Sequence, residues 1–123
     1  MLKSKDGFEM GTLTVTGNVS VGGYVNASSD KSLKEKIVDI DEEILKSFIE
    51  NTPIKAFNYK SNGNRTVGVI AQDIENLEIN GAKFTSTNED GYLQVHETKF
   101  VYLLWNYCQQ LNKRIKELES KVK

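Results

Sequence analysis

Residues 98–123 read TKFVYLLWNYCQQLNKRIKELESKVK, and their spacing organises everything upstream of them. Val101, Leu104, Cys108, Leu111, Ile115, Leu118 and Val122 follow one another at alternating intervals of three and four. That is the a/d seam of a coiled-coil heptad. Up to Cys108 the segment is also apolar off the seam, at Phe100, Leu103, Trp105 and Tyr107, so this half packs on a core. Past Cys108 only the seam is apolar, a narrower stripe than a globular helix shows, so this half projects and pairs with other chains. Arg114 and Glu119 fall at g and e positions, where a parallel neighbour lets them meet. β-branched Val101, Ile115 and Val122 at a, with Leu at d, follow the rule for two strands, but the heptads alone leave the copy number open.

Upstream, Ser28 to Thr98 reads as a small α+β core. Ser32 and Glu35 fit a capping box, with Ile37, Ile40, Ile44, Phe48 and Ile49 at helical spacing after it and Pro53 ending the segment. Ile54–Lys60 and Thr66–Ile70 read as strands around the turn Ser61-Asn62-Gly63-Asn64. Ala71–Leu77 reads as a short helix. Ala82–Thr85 and Tyr92–Val95 form a second candidate hairpin around Asn88-Glu89-Asp90-Gly91. The acidic run Asp39, Asp41, Glu42, Glu43 suits a helix N-terminus better than acid/base chemistry, because carboxylates complement the positive end of the dipole.

Before this core lies a Gly-, Thr-, Val- and Ser-rich leader, in which Leu13, Val15, Val19 and Val21 alternate with polar residues around Gly17-Asn18. Period-two alternation with such punctuation reads as short strands joined by a turn. A single strand pair buries too little to stand alone, and identical copies of itself are its simplest partners. The fold class expected is therefore α+β: a small mixed core with short hairpins, a β-rich leader and a long C-terminal helix.

Composition narrows the function. The net charge of -1, from 16 basic and 17 acidic residues, offers no excess to neutralise phosphates, so nucleic acid is not an expected partner. A lone cysteine, Cys108, excludes an internal disulfide and a cysteine-based zinc site, and a lone histidine, His96, argues against a histidine cluster. No cofactor and no metal are expected. No apolar run reaches the length of a membrane span, so no membrane partner is expected, and synthesis in a reducing cytosol fits the cysteine usage. His96 is expected near the start of the last helix with a local hydrogen bond.

The chemistry that remains is Ala27-Ser28-Ser29-Asp30-Lys31-Ser32-Leu33-Lys34, where leader meets core and a cut would part them. A serine hydroxyl needs a base, and a lysine serves as one in Ser-Lys hydrolases. With Ser32 as cap, Lys34 is the second helical residue, at the dipole's positive end and beside Lys31 and Lys36, which disfavours a cation there. Five helical residues rotate by about 500°, which would point Ser29 and Lys34 about 140° apart. Ser29 must therefore precede the helix, or Lys34 must come from a neighbouring chain.

Ser29-Asp30-Lys31-Ser32-Leu33-Lys34-Glu35-Lys36-Ile37 resembles the opening S-D-x-x-x-K-x-x-I of the endosialidase-type intramolecular chaperone, a self-processing peptidase domain. Phe57-Asn58-Tyr59-Lys60, Val67-Gly68-Val69-Ile70-Ala71-Gln72-Asp73-Ile74 and the helix through Leu111–Glu119 agree with it in order. The leader is similar to the repeats of phage fibre shafts. The resemblance implies a homotrimer, with a trimeric coiled coil at 98–123, that assembles the shaft of a phage tail fibre, tailspike or appendage and then detaches. It implies a boundary between shaft residues 1–28 and a chaperone and autoprotease domain at 29–123. It further implies Ser29 as nucleophile, Lys34 as general base, a cut between Ser28 and Ser29, and Asp30 and Gln72 as supporting residues. A precursor of the virion tail assembled in host cytoplasm is the corresponding location. A trimerisation tip that stays attached, with Ser29 and Lys34 as bystanders, is the alternative. Two departures from the family pattern stand out: Leu77-Glu78-Ile79-Asn80-Gly81 lacks its usual proline, and His96-Glu97-Thr98 lacks its aromatic.

Overall fold

The computed structural model describes residues 7–122. The chain divides into two units, one ending at Ile37 and one beginning at Val38.

In the first unit the leader forms no strand between residues 7 and 30. Leu13, Val15, Val19 and Val21 are all exposed. The expected strand pair is thus not made within one chain, as its small buried area demands. Among the described residues of this unit, the one helical element is a single 3-10 turn, Lys31–Leu33, capped by Asp30 and ended by Lys34. This corrects the expected capping box. Ser32 lies inside the turn, and no helix starts there.

In the second unit α1 runs from Glu42 to Asn51. Its cap is Asp41, whose Oδ1 accepts from the Ile44 N–H at 3.1 Å, while Glu42 and Glu43 occupy the first turn. The acidic run therefore plays the role expected of it. Thr52 closes the helix just before Pro53, by a bond from its N–H to the Phe48 carbonyl.

Three two-stranded antiparallel sheets follow. β1 (Lys55–Asn58) pairs with β2 (Arg65–Gly68), Lys55 facing Gly68 and Asn58 facing Arg65. Gly63 supplies the positive φ of +71° in their turn. The short helix α2 spans Ala71–Ile74. β3 (Glu78–Ile79) and β4 (Ala82–Lys83) make a hairpin that the sequence reading lacked. Asn80 and Gly81 both have positive φ, 51° and 83°, as a type I′ turn requires. β5 (Thr85–Thr87) and β6 (Leu93–Val95) form the expected later hairpin, set slightly further along the chain. Asn88 Oδ1 accepts from the N–H groups of Asp90 and Tyr92 inside its loop, both at 3.0 Å.

The long helix α3 covers Glu97–Val122. Its first half packs as expected: Leu103 is buried with Leu45 of α1, Ile79 of β3 and Phe84, and Phe100 stacks against Phe48 and Phe84 at centroid distances of 6.0 and 5.6 Å. The Asn80 turn pins the start of α1, its Oδ1 accepting from the Asp41 N–H at 2.7 Å and its Nδ2 donating to the Asp39 carbonyl at 3.4 Å. Beyond this core the a/d seam is open: Ile115 is 52% and Leu118 61% exposed.

Candidate active site

Ser29 and Lys34 both belong to the first unit, and the turn between them brings them together. Lys34 Nζ donates to Ser29 Oγ at 2.5 Å. Ser29 stands outside any helix, as the angular constraint required, so the two side chains meet within one chain. The route differs from the expected one. Lys34 is extended (φ -123°, ψ 151°) and closes the C-terminal side of the 3-10 turn, its N–H bonded to the Lys31 carbonyl at 3.1 Å. The helix N-terminus invoked against a cation is therefore not present at Lys34. Both side chains are exposed in the single chain.

The Asp30 carboxylate bonds to neither of them. Its Oδ1 accepts from the Ser32 N–H at 2.9 Å and from the Ser32 hydroxyl at 2.6 Å. These two bonds, the hydroxyl one foremost, hold the Asp30 carboxyl below its ordinary value. The 3-10 turn shortens the path from the nucleophile. Its three residues rise about 6 Å, where an extended chain would rise about 10 Å. A hydroxyl hydrogen-bonded to a primary amine has the composition of a Ser-Lys pair, in which the amine takes the hydroxyl proton during attack.

Gln72 lies in the second unit, on α2, and lines a cleft with Ser47, Asn51, Asp73 and Asn76. His96 makes the local bonds expected of it. Lys99 Nζ, which can only donate, lies 2.9 Å from His96 Nδ1, leaving Nε2–H to donate to Ser86 Oγ at 3.0 Å. Ser86, His96 and Lys99 thus imitate a Ser-His-acid array with a cation in the third place. A cation opposes the imidazolium that a histidine base must become, so the set is structural. Lys99 also donates to the Lys83 carbonyl at 3.0 Å, tying the start of α3 to the chain between β4 and β5.

No curated protein matches the chain. The family model for the chaperone of endosialidase, Peptidase_S74, matches residues 29–91, just over half of the 123 residues. The match begins at Ser29 and takes in the opening and middle motifs, while the closing helix lies beyond it. The chain belongs to the chaperone of endosialidase family, a family of peptidases that act as intramolecular chaperones.

Proposed function

We propose that residues 29–123 bring three copies of the chain together, allow an upstream β-rich fibre shaft to interwind, and then detach by cutting the Ser28–Ser29 peptide bond. Bringing three chains into register costs association entropy, which the exposed seam of α3 offsets on burial. An interwoven shaft unfolds slowly, and severing the link removes the nucleus from which it could unwind. A virion tail-fibre or appendage precursor, assembled in the host cytoplasm, suits such a device. Neither a cofactor nor a nucleic-acid or membrane partner enters it.

In the cut, Lys34 as the free amine takes the Ser29 hydroxyl proton while Oγ attacks the Ser28 carbonyl carbon. The tetrahedral intermediate collapses with loss of the Ser28–Ser29 C–N bond, and Lys34 returns the proton to the departing Ser29 amine. An ester then joins the Ser28 carbonyl to Ser29 Oγ. Lys34 deprotonates a water that hydrolyses it, releasing the Ser28 carboxylate and restoring the hydroxyl. Each chain reacts once. The base acts within its own chain, and neighbouring copies serve to shield the pair from bulk solvent while admitting the one water that hydrolyses the ester.

The observation that carries this proposal is the 2.5 Å approach of Lys34 Nζ to Ser29 Oγ, at the residue where the family match begins. Mass spectrometry of the full chain with its upstream residues tests it. A fragment beginning at Ser29 is expected from the native protein, and intact, still trimeric chains from Ser29→Ala and Lys34→Ala. Native trimers that keep the bond whole would leave only the attached trimerisation tip.

A further inference from the structure

The Ser29–Lys34 approach spans a turn whose side-chain fastening contains neither residue. The Asp30 carboxylate accepts two bonds from Ser32, at 2.9 and 2.6 Å, and the backbone closes behind it through Leu33 N–H to the Asp30 carbonyl at 3.0 Å and Lys34 N–H to the Lys31 carbonyl at 3.1 Å. No residue of this turn is buried, so side-chain packing does not hold it. A 3-10 turn has poorer hydrogen-bond geometry than an α-helix and occurs in short pieces, so a side-chain bond across it adds support. Here the pin is a charge-assisted bond from a hydroxyl, the stronger kind.

We propose, resting on the dyad described above, that Ser32 is a positioning residue for self-cleavage. Its hydroxyl locks the Asp30 carboxylate, the lock holds the 3-10 turn, and the turn delivers the Lys34 amine to Ser29. Ser32 touches neither the scissile bond nor the nucleophile. Only the rate of the chemical step therefore registers its loss, while assembly through α3 does not. Loss of the hydroxyl leaves Asp30 with the Ser32 N–H alone and frees Lys34 to leave Ser29. A misplacement of about 1 Å in a reacting pair can cost as much as 100-fold in rate.

The full chain is prepared as Ser32→Ala, Ser32→Thr, Ser29→Ala and the native sequence, and the first-order appearance of the fragment beginning at Ser29 is followed alongside the native mass. Ser32→Ala is expected to cut at least ~10-fold more slowly, at unchanged native mass, and Ser32→Thr to return the rate to within ~3-fold of native. A native rate in Ser32→Ala overturns the positioning role, as does slow cleavage that Ser32→Thr fails to restore. Slow cleavage that merely follows lost assembly overturns it too. Continued cutting by Ser29→Ala would instead sink the dyad itself, so the two failures are told apart.

Discussion

Replacing Ile115 by Asp tests the seam in the half of α3 that lies beyond the core. Ile115 remains 52% exposed, and its seam neighbours Leu111 and Leu118 are 37% and 61% exposed. Complete burial of such a side chain is worth about 1.5–3 kcal/mol, so covering what these three leave open contributes about 2–4 kcal/mol per chain. In the proposed three-chain assembly that makes about 6–12 kcal/mol, an upper figure because extended-chain references overstate burial. If the proposed trimer forms through this seam, Ile115→Asp removes one third of this apolar contact and sets three carboxylates against one another. Sedimentation at micromolar concentration is expected to show three-chain particles for the native protein and single chains for Ile115→Asp. The helix itself should persist by circular dichroism, since the core side of α3 at Phe100 and Leu103 is untouched. A native protein that sediments as one chain, or an Ile115→Asp variant that keeps its partners, would refute the seam as the assembly surface.

Two further outcomes follow from the core and the turn. Leu45 is wholly buried against Ile79, Phe84 and Leu103, so Leu45→Ala should cost about 2–5 kcal/mol and lower the melting temperature by ~10 °C or more; a fall under ~3 °C would show that this cluster is not the core. The Asp30 carboxyl is held below its ordinary 3.8 by Ser32, so the turn's stability is present above that value and is lost only as pH falls through the lower, folded one. A carboxyl-carbon NMR titration should give a midpoint below 3.8 that rises in Ser32→Ala, and a native midpoint at or above 3.8 contradicts the Asp30–Ser32 lock.

Asn80-Gly81 shows what pattern reading passes over. The pair is a strong turn signal, yet its strands are two residues each, too short for alternation to register. The hairpin then has a consequence far along the chain. Its Asn80 side chain binds the backbone of Asp39 and Asp41, so the helix begins after Asp41 and not after Ser32. Both caps satisfied local rules, and a contact across some forty residues chose between them.

From the order of residues alone came the heptad spacing and length of α3, the first and last hairpins, the acidic cap of α1, and Ser29 and Lys34 as a candidate pair, which the structure brings within 2.5 Å. These are legible because period, turn residues and motif spacing are local properties of a chain. Only the tertiary structure decided where α1 starts, that the leader makes no strands in one chain, and that Asp30 and Ser32 form the turn bringing Lys34 to Ser29. Those outcomes depend on which of several locally permitted hydrogen bonds occur together: at α1 the distant Asn80 takes part, and at the turn the Asp30–Ser32 bonds do.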